Sequence, residues 1–234
     1  MREGLQIINN FLTNSQKKNK IGSVYNKTKK DLNNIFKRHN TQDNFFNVLR
    51  DNFKLNFNIS DIKKFSKFRN IVIIGMGGSV LGTKAIYTFL YKRIKKNLII
   101  IDNLDNRNLY KIKKLKKEKK LFILVSKSGN TLETLSNINL LSNFINKSKN
   151  TIIISENQNS ALSIFAKKNN IKFVEHKKYI GGRFSVLTEV GMLPAYLMGL
   201  KINLFRKNLF KFFQSEKKFI SNSVSILSQI YLSK

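Results

Sequence analysis

The spacing of hydrophobic positions changes near residue 70, and two kinds of structure are predicted on either side of that point. Before it, apolar residues recur at helical intervals in patches, first Leu5, Ile8 and Leu12, later Phe45, Val48, Leu49 and Phe53, with Asn- and Lys-rich connectors between them. This predicts a helical leader over residues 1–69. From residue 70 short continuous apolar runs take over: Ile71-Val72-Ile73-Ile74, Leu98-Ile99-Ile100-Ile101, Leu121-Phe122-Ile123-Leu124-Val125, Thr151-Ile152-Ile153-Ile154 and Ile171-Lys172-Phe173-Val174. Such runs suit strands buried on both faces of a sheet. Segments of helical length separate them, for example Leu132, Leu135, Ile138, Leu141 and Ile145 on one face. Alternating strands and helices imply a parallel sheet with right-handed crossovers and helices on both sides, over residues 70–200. Beyond residue 200, Phe205, Leu209, Phe212, Phe219, Leu227 and Ile230 predict one more long amphipathic helix, over 201–234. Its phenylalanine face reads as an apolar stripe awaiting a further domain.

Composition adds bounds to this picture. With 234 residues, 41% of them hydrophobic and 19 of them Phe, the chain can bury a sizeable core. Lys and Arg number 44 against 13 Asp and Glu, a formal charge of +31. That excess would ordinarily suggest nucleic acid or an anionic membrane. Here Lys is spread over the whole length together with Asn, Ile and Phe, which reads as a compositional bias filling tolerant surface positions, with no specific nucleic-acid partner expected. The positive field would still draw in phosphorylated ligands. There is no cysteine, so neither disulfides nor thiolate metal sites are available. His39 and His176 stand alone in Lys/Asn-rich surroundings and read as surface residues, so no metal is expected. Met1 to Leu12 lacks the apolar core of a signal peptide, and no apolar run approaches the ~20 residues needed to cross a bilayer. A cytoplasmic protein is expected.

Glycine gives the sharpest clue to chemistry. Nine of the 11 glycines lie at residue 75 or beyond, most of them in three loops that each follow a predicted strand. Ligands of open parallel sheets bind at the carboxyl ends of strands. The first loop is Gly75-Met76-Gly77-Gly78-Ser79-Val80-Leu81-Gly82. Glycines let the backbone approach an anion, and the helix that follows offers free N–H groups with a positive dipole. A dinucleotide-binding reading competes, because Asp102 ends the second predicted strand, 27 residues after Gly75. The spacing fits that reading imperfectly, since the third glycine falls at Gly82.

The second loop, Ser126-Lys127-Ser128-Gly129-Asn130-Thr131-Leu132-Glu133-Thr134, brings three hydroxyls and a lysine to a helix start, which makes a phosphate cradle. Asn130 and Glu133 read as a capping arrangement, which makes Glu133 structural. The third loop is Ile180-Gly181-Gly182-Arg183-Phe184-Ser185, followed by Val186-Leu187-Thr188-Glu189-Val190-Gly191-Met192-Leu193-Pro194. An arginine presented by two glycines can place a fixed cation where negative charge develops on an enediolate. A salt-bridged surface arginine is the plain alternative. Pro194 is the only proline and would kink a helix running on to Met198.

The three loops together, GMGGSVLG, then SKSGNTLET, then GGRFSVL with Gly191 and Leu193-Pro194, resemble the glucose-6-phosphate isomerase family in family order over about residues 70–200. The first two loops resemble sugar-isomerase (SIS) domains generally, and GGRFS separates this family from the others. The resemblance implies a three-layer α/β/α sandwich with a parallel, flavodoxin-like sheet, a second such domain beyond this one, and a homodimer. It implies that Gly78 and Ser79 contact substrate, that Ser126, Lys127, Ser128 and Thr131 hold the phosphate, and that Gly182 and Arg183 stabilise the enediolate. The implied reaction interconverts an aldose phosphate and a ketose phosphate without metal or redox cofactor. The family's catalytic glutamate, ring-opening histidine and late lysine lie well downstream of GGRFS and have no counterpart here, Glu189 and Glu216 being the acids after Arg183. Two readings follow: an isomerase represented by its N-terminal half, or a sugar-phosphate-binding module without turnover.

Overall fold

The computed structural model describes residues 21–37, 45–105, 107, 110, 112, 114, 120–145 and 147–232. Leu5, Ile8, Leu12 and His39, singled out above, lie outside them. The chain divides into two compact units, Asn52–Arg206 and a second drawn from Met1–Asp51 and Lys207–Lys234.

The larger unit is built on five parallel strands, β1 (Asn70–Ile74), β2 (Asn97–Ile101), β3 (Lys120–Val125), β4 (Thr151–Ser155) and β5 (Lys172–Glu175), in the order β2-β1-β3-β4-β5. Each of the five apolar runs became a strand. β1, β3 and β4 are buried throughout, as continuous hydrophobic runs require. Burial on both faces does not extend to the edge strands. β2 has one neighbour and is mostly half-buried, and β5, shifted to start at Lys172, buries only Val174.

Side chains alternate between the two faces, which separates the core into two layers. Ile71 and Ile73 of β1, Leu121, Ile123 and Val125 of β3 and Ile152 and Ile154 of β4 share one cluster. Helix α1 (Gly78–Leu90) adds Val80 and Ile86 to it, and helix α2 (Glu189–Leu197) adds Val190, Met192, Leu193, Ala195 and Leu197. Ile62, Phe65 and Phe68 complete that layer from the segment before β1. Val72, Ile74, Phe122, Leu124 and Ile153 face the other way, against Ile138 of helix α3 (Leu132–Leu140) and Leu141 just after it, and Leu162 and Ala166 of helix α4 (Ala161–Lys168). The result is a three-layer α/β/α sandwich. Within the expected 132–145 helix only 132–140 is α-helical; a short 3₁₀ turn follows at Ser142–Phe144, and Leu132 is exposed rather than on the core face.

Pro194 sits inside α2 without ending it. The helix continues to Leu197 and is capped by Thr188, whose hydroxyl accepts from Val190 N. The single long helix expected after residue 200 is broken into Ile202–Arg206, Leu209–Ser215 and Lys217–Leu232. Asn208 takes a left-handed conformation (φ 59°) between the first two, one that asparagine tolerates better than most residues. Phe205 packs on the core of the larger unit while Phe212 is exposed, so the phenylalanines do not form one continuous stripe. In the smaller unit the helix Lys217–Leu232 packs against Ile21–Lys37, and Lys217 Nζ donates to Asn33 Oδ1 at 3.0 Å.

Phe122 lies wholly buried in the central strand. Phe122→Ala is expected to lower unfolding free energy by about 3–5 kcal/mol. Urea titration checks this, and a loss under ~1 kcal/mol would mean that the sheet is not the core of the unit.

Candidate sugar-phosphate site

In a 2-1-3-4-5 sheet the strand order reverses between β1 and β3, and the crevice beyond their carboxyl ends is the preferred ligand position. The first two glycine-bearing loops leave β1 and β3 there.

The first loop turns on Gly77 (φ 51°), which serves as N-cap of α1. No side chain caps this helix. Its first residue, Gly78, lies against the third loop so closely that a Cβ there would stand 2.4 Å from the Gly182 carbonyl carbon and 2.7 Å from Arg183 N. Glycine is needed at 78 because two backbones touch. Ser185 locks this contact by donating to Gly182 O at 2.6 Å, with Gly78 O 3.3 Å away. Residues 182–187 form a 3₁₀ turn rather than the head of the helix itself, which starts at Glu189. Thr188 Oγ1 donates to Ser185 O at 2.7 Å, and Arg206 donates to Leu187 O at 2.8 Å, so the turn is held at several points.

The second loop is wound on itself. Ser126 and Thr131 hydroxyls meet at 2.9 Å, Gly129 N donates to Ser126 Oγ at 3.1 Å, and Asn130 N to Ser128 Oγ at 3.3 Å. Gly129 has φ 70°, and a Cβ there would clash with Ser160 Oγ at 2.2 Å. Thr131 is the N-cap of α3 but makes no side-chain capping bond, so no side chain caps the first turn of this helix. The expected Asn130–Glu133 capping box is absent. Asn130 Oδ1 instead accepts from Ala161 N at 2.8 Å, tying the loop to α4, and Glu133 is exposed.

Ser79, Lys127, Gly182 and Ser185 line one small cavity, together with Val125, Ile154, His176 and Val190. All three loops are thereby brought to one place. Gly78 and Gly182 are in backbone contact beside it, while Ser126, Ser128 and Thr131 stand in the same loop as Lys127. Arg183 is exposed, with its guanidinium 5.8 Å from the Phe184 ring, and it has no ion pair among the described residues.

Two polar residues at strand ends escaped the sequence reading. Glu156 follows β4 and is buried; its carboxylate lies 3.4 Å from Lys127 Nζ and its backbone N–H donates to Lys127 O at 3.0 Å. His176 follows β5 and, against the expectation of a surface histidine, is 2% exposed. A Lys/Asn-rich local sequence says nothing about burial; position at the carboxyl end of a parallel strand was the available signal for both. Asp102, the competing ribose-binding acid, lies 3.6 Å from Lys84 Nζ at the edge of the sheet.

Loops of this kind at the switch point of this sheet define an α/β/α protein of the sugar-isomerase class. The family model described as phosphoglucose isomerase matches residues 57–224, and the chain belongs to that family. A glucose-6-phosphate isomerase of Methanocaldococcus jannaschii is 38% identical over 150 residues, covering 62% of this chain and 37% of the relative. One of Borreliella afzelii is 37% identical over 156 residues, covering 61% and 29%. The chain thus spans about a third of the length of these relatives. Among solved structures, a glucose-6-phosphate isomerase from Chlamydia trachomatis superposes with TM-score 0.54 at 26% identity, covering 64% of this chain and 30% of that one. A hypothetical protein from Thermus thermophilus gives TM-score 0.69 at 20% identity over 86% of this chain and 51% of the other, a likeness of fold.

No helix among the described residues is long and apolar enough to cross a membrane.

Gly78→Ala is expected to force the first and third loops apart and to cost about 1–3 kcal/mol. Gly181→Ala is the control, because a Cβ there meets only the Phe184 ring, with Cδ2 nearest at 3.5 Å. Equal urea midpoints for the two variants would contradict the close contact.

Proposed function

We propose that this chain supplies the phosphate-binding and enediolate-stabilising part of a glucose-6-phosphate isomerase, which interconverts glucose 6-phosphate and fructose 6-phosphate. The observation that carries this reading is the backbone contact between Gly78 and Gly182, which sets the arginine turn against the phosphate-type loops of the switch point. In this reading the substrate is a phosphorylated hexose and the complete enzyme is a cytoplasmic homodimer.

Each loop has a distinct task. The phosphate is held by Ser126, Lys127, Ser128 and Thr131 and by the uncapped start of α3, where hydroxyls, cation and helix dipole converge on one anion. Gly78 and Ser79 contact the sugar from α1. Once the ring is open, a carboxylate moves a proton between C2 and C1, and negative charge accumulates on the enediolate oxygens. Arg183, unpaired by any carboxylate among the described residues, is placed to meet that charge, with Gly182 beside it.

The proton-transferring carboxylate is assigned to the part of the relatives' length that this chain does not span. Glu189 is wholly buried, Glu133 is exposed on α3, and Glu216 caps a helix of the other unit. Without a positioned base a site loses typically 10²–10⁴-fold in rate. The 234-residue chain alone is therefore expected to bind fructose 6-phosphate weakly and not to isomerise it, while a polypeptide of the relatives' length does. A coupled isomerase assay on both decides the reading; equal turnover would place a base within these residues.

Lys127→Ala with Thr131→Val is expected to weaken sugar-phosphate binding at least tenfold, about 1.4 kcal/mol. Unchanged affinity by calorimetry in the folded double variant would remove the phosphate assignment. In the active enzyme Arg183→Lys keeps the charge but loses the planar fork, and kcat should fall on the order of 100-fold with KM little altered. Near-normal kcat would assign the enediolate to another group.

A further inference from the structure

The segment 177–188, which carries Gly181, Gly182 and Arg183, begins after His176 and ends before Glu189. Those two bounding residues face each other. His176 Nδ1 lies 3.7 Å from Glu189 Oε2, with side chains 2% and 0% exposed. The other atom of each is engaged. His176 Nε2 stands 3.1 Å from Ile180 O, and since a carbonyl only accepts, Nε2–H is the donor. Glu189 Oε1 accepts from Asn56 N at 2.8 Å. Asn56 in turn donates from Nδ2 to Glu175 O at 3.1 Å and accepts from Lys177 Nζ at 2.8 Å. Nδ1 and Oε2 have no hydrogen-bond partner and face each other at 3.7 Å, a contact longer than a hydrogen bond.

A buried carboxylate and imidazole are a poor way to gain stability, because their desolvation offsets most of their attraction and an apolar pair of similar volume does as well or better. What such a pair supplies is a defined geometry. Here it joins the end of β5 to the start of α2 and so closes the arginine-bearing segment at its base. Inside the closure, the Nε2–H bond to Ile180 O fixes the residue immediately before the two glycines, and Ser185 fixes Gly182 from the other side. His176 also shares the wall of the cavity with Ser79, Lys127 and Gly182.

We infer that His176 and Glu189 are positioning residues that clasp the base of the arginine loop and set where Arg183 stands against the first loop. As a statement about catalysis this rests on the isomerase reading above; as a statement about the loop it does not.

The test replaces the clasp by an apolar pair, His176→Leu with Glu189→Leu, which leaves no unpaired buried charge. Amide hydrogen exchange is read on the 234-residue chain, where no turnover is needed. The N–H groups of residues 181–184 should exchange at least tenfold faster in the double variant, with those of 121–125 unchanged. Glu189→Gln keeps an acceptor for Asn56 N and offers an N–H to Nδ1, so it should stay within threefold of the parent. In the active isomerase the double variant should lose at least tenfold in kcat with KM within threefold, and Glu189→Gln should keep most of the parent rate. Should the double variant not fold, His176→Leu with Glu189→Gln, which removes the imidazole but keeps an acceptor for Asn56 N and leaves no buried charge, is read by the same criteria.

Unchanged exchange at 181–184 in a folded variant overturns the clasp. Faster exchange with unaltered kcat and KM also overturns it as a positioning device. A parent enzyme that shows no isomerase activity defeats the isomerase reading alone, and the exchange measurement then decides the clasp by itself.

Discussion

The approach of Gly78 to the Gly182 peptide is the constraint on which the rest of the site depends. At this spacing no side chain fits at 78 without pushing the two loops apart. The contact joins the start of α1, which leaves β1, to the arginine turn, which precedes α2. Both helices cover the same face of the sheet, so packing of Val80, Ile86, Val190 and Leu193 in one cluster determines whether the loops meet. Core and site are thus coupled through rigid elements. A second close contact, Gly82 against the side chain of Val186, lies one turn further along α1.

The fold was legible because its central strands are buried on both faces. Runs such as 71–74 and 121–125 have no polar position to create ambiguity of period, and they fell where strands were expected. Legibility failed where burial was decided by distant partners. The edge strands carry the same apolar residues as the central ones, yet β2 and β5 have a neighbour on one side only, and sequence does not reveal strand order. Beyond residue 200, amphipathic spacing continued across Asn208, whose left-handed backbone divides the helix without any interruption of the apolar pattern.

Within the site, glycine spacing located the three loops, since close backbone approach and anion-facing helix starts both select for Gly and small hydroxyl residues. Buried polar residues were invisible for the opposite reason. His176 and Glu156 sit among Lys and Asn, where composition argues for solvent, and what buries them is the convergence of β4, β5 and α2. Asn130 was misread because its partner, Ala161 N, is 31 residues away and not in its own helix.

These placements also bear on how binding and rate can be separated in such a site. On the isomerase reading proposed above, phosphate contacts would be made equally to substrate, intermediate and product, so the β3 loop would lower KM without discriminating the transition state. Discrimination needs a charge placed where charge develops, on a support that does not move with the phosphate group. The immediate supports of the two cations differ: Lys127 is held by Glu156 and the end of β4, whereas Arg183 is carried on a segment fixed to β5, α1 and α2. The two cations have different direct partners, but Ser155 links their supports, its hydroxyl lying 3.4 Å from Lys127 O and its carbonyl accepting from His176 N at 2.8 Å. On the isomerase reading proposed above, a displacement of the arginine turn should register mainly in kcat and a loosening of the Lys127 loop mainly in affinity, because each cation has its own immediate partners.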